Sequence, residues 1–314
     1  MRKHPSVPQA VASAEGAIGV IGLGIMGGAM AEALLAANHR VCGHDIAAAA
    51  RQRLRKAGGK PLASSADVAR RADIVISSLA SVAALDVVVD EIARAKRSAG
   101  RPPLVVIETS TLPLEDKARA MKALQRCGIA MLDCPISGTA VRMKEGAWTI
   151  FASGSRRALE RVLPILNVFT RKVPYVGAFG NGTKMKFVAN HLVAIYNVAA
   201  AESLTLARKM GLEPRQVLEL FGPSPVVGNG VLRLRGALMA ARRYLPATMK
   251  VEVWQKDMQV IGDMAKAVAC PVPLFSACIP IYNAAMAQGL AAADTASVHE
   301  VLGAMAGIAA TRTG

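Results

Sequence analysis

Lys186 and Asn190 are a pair of side chains in this sequence whose types and spacing could place an ammonium and an amide on one ligand. They stand four residues apart, and positions i and i+4 share one face of a helix. The run Gly180-Asn181-Gly182-Thr183-Lys184-Met185-Lys186 leads into a stretch with no strand-like break until about Met210, so a long helix over 185–210 is expected to carry both. On that helix Lys184 projects to roughly the opposite side. Lys186 and Asn190 can therefore point together into a cleft between two domains. Solvation is the ordinary reading of any lysine, but one within a mainly apolar helix, beside two glycines that permit close approach, is less ordinary.

Two further clusters could bind rather than react. Ser137-Gly138-Thr139 follows a short apolar run and offers a hydroxyl and backbone N–H groups of the kind that hold a carboxylate. Gly22-Leu23-Gly24-Ile25-Met26-Gly27 is a G-x-G-x-x-G string. Alone such a string is weak, but here a buried strand precedes it, a helix follows, and Asp45 closes the next strand 21 residues after Gly24. The spacing assigns Gly22 to a tight turn, Gly24 to close approach of a pyrophosphate, and Gly27 to close helix packing. The helix N-terminus adds partial positive charge for the phosphates. Asp45 accepts ribose hydroxyls and repels a 2′-phosphate. With Ile46 and Ala47 rather than an arginine directly behind it, NAD is expected over NADP, although Arg51 and Arg53 stand close enough in sequence to weaken the preference.

The elements that must position these groups alternate in the first half of the chain. Strands are expected at 18–21, 40–44, 74–77, 103–107, 130–133 and 147–152, with helices at 26–38, 47–57, 85–95 and 114–127. Alternation of this kind builds a parallel sheet covered on both faces. Beyond about Gly180 it stops, and helices are expected at 185–210, 214–220, 231–243, 250–268, 275–289 and 296–310. The fold class is therefore α/β: an N-terminal Rossmann doubly wound parallel sheet over 17–179, joined through a long helix to an all-α C-terminal domain over 180–314. Residues 1–16, with two prolines and no periodicity, read as a loose tail.

Composition closes off other classes. Over 314 residues the chain is 53% hydrophobic, ample for two cores, and carries a formal net charge of +16. Its basic residues are scattered and not interleaved with aromatics, so neither nucleic acid nor membrane is expected as a partner, and steering of anionic ligands is the functional use left for the charge. The apolar stretch 17–37 is dense in glycine, which fits strand, turn and helix rather than a signal peptide or a membrane span. Five cysteines without a paired spacing point to reduced thiols in a cytoplasmic protein, and five dispersed histidines give no metal site.

Read together, GLGIMG at 22–27, ETSTLP at 108–113, DCPISGT at 133–139, GNGTKMKFVAN at 180–190 and WQKDM at 254–258 resemble the β-hydroxyacid dehydrogenase family, which includes 3-hydroxyisobutyrate dehydrogenase and tartronate semialdehyde reductase. The resemblance spans about Ile18 to Gly303. It implies reversible hydride transfer between NAD(P) and a short 3-hydroxy acid or its semialdehyde. Lys186 would be the acid/base, Asn190 would hold the substrate, and Ser137 and Gly138 would bind its carboxylate. Leu79, Ala80, Ser110 and Thr111 would line the nicotinamide side, and Lys256 would reach the cofactor. Burial beside a positive nicotinamide would draw the Lys186 ammonium below its ordinary range. A homodimer or homotetramer is also implied.

This chain departs from the family pattern at several places. Thr139 stands where a second glycine is usual, Glu108 where an aspartate is, Ala80 where a proline is, and Ala189 replaces the first of two common asparagines, with His191 after the second. These changes leave the reaction class intact and bear on the substrate, Thr139 most directly. An imine reductase-like NADPH enzyme usually lacks the lysine, and a nucleotide-sensing binding protein needs no acid/base pair. Lys186 argues against both.

Overall fold

The computed structural model describes residues 16–308 except 141, 142, 144 and 145. The expected tail at 1–16 lies, apart from Gly16, outside the described residues, as does the end of the expected helix at 296–310. The chain divides after Lys186 into two compact units.

The first unit is built on a six-stranded, all-parallel sheet in the order β3-β2-β1-β4-β5-β6. Its strands are β1 (Ala17–Ile21), β2 (Val41–His44), β3 (Lys60–Pro61), β4 (Ala72–Ser77), β5 (Val105–Glu108) and β6 (Ala130–Asp133). Helices α1 (Ile25–Ala36), α2 (Ala48–Lys56), α3 (Ser65–Arg71), α4 (Val82–Ala93) and α5 (Leu114–Arg126) alternate with them. Strand order reverses between β1 and β4, the place where an open α/β sheet leaves a crevice at its C-terminal edge. Two apolar clusters pack the unit: Val20, Leu34, Ile76 and Ile107 belong to one, Val75, Leu85, Val106 and Leu124 to the other.

Four elements lie beyond the sequence reading. Helix α3 has only seven residues, too few for a periodic signal, and rests on a local device: the Ser64 hydroxyl accepts the Asp67 N–H at 3.1 Å. Helix α6 (Arg156–Leu166) opens on Ser155, whose hydroxyl accepts the Ala158 N–H, and buries Leu159, Val162, Ile165 and Leu166. Pro164 in its last turn hides that period in the sequence. The two-residue β3 is an edge strand, and β7 (Ile136–Ser137) pairs antiparallel with β8 (Thr149–Ile150), which is shorter than the strand expected over 147–152.

The second unit is all helical. It contains most of α7 (Asn181–Lys209), then α8 (Pro214–Phe221), α9 (Gly230–Ala241), α10 (Val251–Ala267), α11 (Pro273–Ala287) and α12 (Val298–Met305). Phe187, Ala194, Ala201 and Leu204 of α7 pack there with Trp254, Phe275 and Tyr282. Helix α7 begins four residues earlier than expected. Gly182 fits within its first turn because a Cβ there would stand 2.4 Å from the Phe151 carbonyl oxygen and 2.7 Å from that of Asp133. No helix among the described residues is long and apolar enough to cross a membrane, and no cluster of ligating side chains there could hold a metal.

Candidate active site

The C-terminal edge of the parallel sheet collects nearly every residue singled out in the first unit. Gly22, Leu23, Gly24, Ile25, Met26 and Gly27 form the β1–α1 turn. Asp45 follows β2, Leu79 and Ala80 follow β4, Ser110 and Thr111 follow β5, and Ser137, Gly138 and Thr139 lie just beyond β6.

The glycines of the turn have separate reasons. Gly22 has φ +82°, and a Cβ on it would meet the Ser78 carbonyl oxygen at 2.1 Å. A Cβ on Gly27 would meet the carbonyl oxygen of Gly22 at 1.8 Å, so α1 can start this close to the sheet only with glycine. A Cβ on Gly24 would meet nothing within 4 Å. No side chain caps α1, whose N-cap is Gly24 itself. Open space in front of uncapped N–H groups fits a pyrophosphate.

Asp45 is held in place beside that turn. Its carboxylate accepts the Leu23 N–H at 2.6 Å and the Ala47 N–H at 2.8 Å. The lone pairs that remain suit ribose hydroxyls. Arg51 donates to the carbonyls of Asp45 and Ile46, and Arg53 to that of Leu23 at 3.4 Å, so two guanidinium groups stand beside the turn and Asp45 despite the absence of an arginine directly after Asp45. These residues fit NAD(P), whose nicotinamide supplies the hydride chemistry when bound.

The loops after β4 and β5 are joined to each other. The Ser110 hydroxyl accepts the Leu79 N–H at 2.7 Å, and buried Glu108 accepts the Ser110 N–H at 2.7 Å and the Ser77 hydroxyl. Leu79 and Ser110 are thus brought together as one wall.

The centre of the arrangement is an ion pair that the sequence reading did not single out. Lys117 of α5 and Asp133 at the end of β6 are both fully buried, 2.5 Å apart. The Lys117 ammonium spends its three protons on the Ser110 carbonyl at 3.0 Å, on Asp133 Oδ1, and on the Thr183 hydroxyl at 3.1 Å. Asp133 also accepts the Thr183 hydroxyl at 2.7 Å, the Thr183 N–H at 2.8 Å and the Ser153 hydroxyl at 3.1 Å. One ammonium and one carboxylate therefore tie three segments: the loop after β5 that holds Ser110, the start of the Ser137–Thr139 loop, and the first turn of α7. A sequence signal existed. Lys117, Ala120 and Leu124 fall at the spacing of one helical stripe, and all three are buried.

Helix α7 leaves this anchor with Lys186 three residues after Thr183. Lys186 is half-buried, while Lys184 is exposed with its ammonium 3.5 Å from the Asn181 side chain. Asn190, one turn beyond Lys186, is buried and donates to Asp257 at 2.8 Å. Lys256 pairs with the other oxygen of Asp257 at 2.9 Å. Within the second unit Asp257 thus joins Asn190 and Lys256. It was missed because the WQKDM motif draws attention to its lysine, yet Asp257 shares a buried stripe with Trp254 and Ile261. His191 stacks on Phe275, with ring centroids 5.3 Å apart.

Gly138 has φ +140°, and a Cβ on it would strike Trp148 at 2.5 Å. The Trp148 indole donates to the Thr139 carbonyl at 2.7 Å, which fixes the loop from behind. The Thr139 hydroxyl is buried without a hydrogen-bond partner among the described residues.

Comparison with known proteins agrees with this geometry. Residues 17–177 match the NAD binding domain of 6-phosphogluconate dehydrogenase, and residues 180–302 match the NAD-binding family of NADP-dependent 3-hydroxyisobutyrate dehydrogenase. The L-threonate dehydrogenase of Cupriavidus necator is 30% identical over 286 residues, covering 90% of this chain and 95% of the relative. The NAD-dependent L-serine dehydrogenase of Pseudomonas aeruginosa is 29% identical over 291 residues, covering 90% and 97%. The crystal structure of a 3-hydroxyisobutyrate dehydrogenase from Salmonella typhimurium superposes with a TM-score of 0.81 at 26% identity, covering 91% of this chain and all of that one. A dinucleotide turn closed by an acid, two matching family halves and relatives aligned nearly end to end converge on one assignment: the chain belongs to the β-hydroxyacid dehydrogenase family, the NAD(P)-dependent oxidoreductases of short-chain hydroxy acids.

Proposed function

We propose that this dehydrogenase oxidises a short polyhydroxylated acid, with L-threonate the first candidate, and that Lys186 moves the proton. The observation that carries the substrate reading is the Thr139 hydroxyl, buried and without a hydrogen-bond partner among the described residues, next to Ser137 and Gly138 in the chain. A buried hydroxyl without a partner is costly, and a ligand hydroxyl would relieve that cost. Relatives named L-threonate dehydrogenase support the same choice.

In this mechanism Ser137 and the N–H groups after it bind the substrate carboxylate and so select which carbon is presented. Neutral Lys186 accepts the hydroxyl proton during oxidation and returns it during reduction. Asn190, oriented by Asp257, holds the substrate oxygen beside it. Lys256, steadied by the same carboxylate, meets the cofactor. The reading of the fold as an imine reductase or a sensor leaves Lys186 without a task.

Turnover of a panel of hydroxy acids and semialdehydes with both cofactors tests this. L-threonate or a close hydroxylated analogue should give the highest kcat/KM, and a panel led by unhydroxylated branched acids would overturn the substrate choice. Thr139→Gly should reorder the panel while leaving NAD affinity unchanged. Loss of one hydroxyl contact corresponds to about tenfold in kcat/KM for the hydroxylated acid. An unchanged ranking would remove Thr139 from the site.

NAD is the proposed cofactor of choice, because the Asp45 carboxylate faces the position of a 2′-phosphate. Asp45→Asn should narrow the NAD to NADP ratio of kcat/KM by about tenfold or more, helped by Arg51 and Arg53. A wild-type enzyme that prefers NADP would contradict this.

We further propose a homodimer or homotetramer in the cytoplasm, with its thiols reduced. All five cysteines are unpaired. Met185, Val188, Leu192 and Tyr196 form an exposed apolar stripe along α7, a surface that isolated chains rarely leave open. Sedimentation should give a mass of at least two chains, and a monomer at all concentrations would contradict the assembly.

A further inference from the structure

The N-terminal edge of the same sheet, opposite the loops described above, carries a second concavity. The starts of β1, β2, β3 and β4 open onto a cavity of about 1410 Å³. Its lining includes Arg55, Lys60, Arg71, Arg101 and Arg161, and Asp73 is the one carboxylate among the described residues there.

Cations at this edge have an ordinary structural use, because helices end there with unpaired carbonyls and partial negative charge. At the end of α3 that demand is met by residues other than Arg71. Arg97 donates to the carbonyls of Ala69 and Ala72 and pairs with Asp73 at 2.6 Å. Arg101 donates to the carbonyls of Arg70 and Arg71 and shares Asp73 at 2.8 Å. Arg161 donates to the Pro103 carbonyl.

Arg55, Lys60 and Arg71 are left over. They come from α2, β3 and the end of α3 and are exposed, and their side chains make no hydrogen bond or ion pair with any described residue. Lys60, Arg71 and Arg101 also converge electrostatically. All three act on the Cys42 thiol in β2, opposing the burial that pushes it up to about 11. A single phosphate needs one guanidinium fork. Cations without a side-chain partner among the described residues, on three separate elements around one large cavity, match an extended chain of charges.

We propose that this cavity is an anion site for the polyphosphate class, a linear chain of two or more phosphoryl groups, separate from the dinucleotide turn. The chain lies among Arg55, Lys60 and Arg71, and Arg101 closes the floor. Two sources share that chemistry: inorganic polyphosphate and the phosphate tail of a nucleotide.

The test is calorimetric titration of the full-length protein, saturated with NAD so that the cofactor's own phosphate positions are filled. Tripolyphosphate and ATP are titrated in separate arms. One saturable site per chain is expected, weakened at least tenfold in Lys60→Glu/Arg71→Glu and unchanged in Lys122→Glu/Arg126→Glu, which makes the same charge change at exposed positions of α5. Should the reversed-charge variant fail to fold, Arg55→Gln/Arg71→Gln carries the same expectation of weakened binding. Equal affinity in the two arms identifies the phosphate chain as what is recognised, and tighter ATP identifies a nucleotide. Absence of saturable binding in both arms overturns the proposal. Equal weakening in the cavity variant and the α5 control does so too, because it reveals diffuse attraction to a chain of net charge +16.

Discussion

Alanine in place of Lys186 is expected to lower kcat for the best hydroxy acid by about 10²–10⁴-fold, the usual cost of losing a general acid/base, or about 2.7–5.5 kcal/mol of transition-state stabilisation. NAD affinity should be unchanged in the same variant, because the proposed cofactor residues of the β1–α1 turn and Asp45 do not depend on that side chain. Lys184→Ala should keep near-normal turnover, since the Lys184 side chain is exposed and its hydrogen bond to Asn181 is a long one. The pair of variants separates proton transfer from general loss of positive charge at the start of α7. Near-normal kcat in the Lys186 variant would remove the residue from the chemistry.

The second large effect belongs to Lys117. Lys117→Met leaves Asp133 buried, charged and short of one donor, and breaking a buried pair from one side costs about 3–5 kcal/mol. Urea unfolding should show that loss. Because the same ammonium holds the Ser110 carbonyl and the Thr183 hydroxyl, the variant should also lose kcat under conditions where it remains fully folded. Lys117→Met/Asp133→Asn should recover part of the stability, since the unpaired charge is gone. It should not recover kcat, because the three segments stay untied. A stability loss below about 1 kcal/mol in the single variant would show that Asp133 finds adequate donors in Thr183 and Ser153 alone.

The local geometry of the β1–α1 turn was legible in the sequence. Gly22, Gly24 and Gly27 each occupy the position their spacing assigned, and Asp45 closes the second strand beside them. These groups are local in sequence, so strand, turn and helix signals place them. What stayed hidden depends on contacts distant along the chain. Lys117 reaches Asp133 and Thr183 only because α5, β6 and α7 meet, and a lysine on an exposed-looking helix gives no sign of its partners. Asp257 is the same case, since its link to Asn190 spans two helices. Helix α6 stayed hidden because a proline sits where the period should continue, while its fold is carried by a capping serine and four buried aliphatics. The early start of α7 follows from Gly182 being chosen for close approach and not for a loop.

The central claim is that Lys186 carries the proton in step with hydride transfer, and the pH dependence of kcat in both directions tests it most directly. In the wild type, oxidation should rise with pH as one group loses its proton, and reduction should fall through the same ionisation, because the base of one direction is the acid of the other. Both limbs should be absent in Lys186→Ala, whose residual rate should be flat across the same range. Retention of both limbs at the same midpoint in Lys186→Ala would contradict the account, because another group would then be moving the proton.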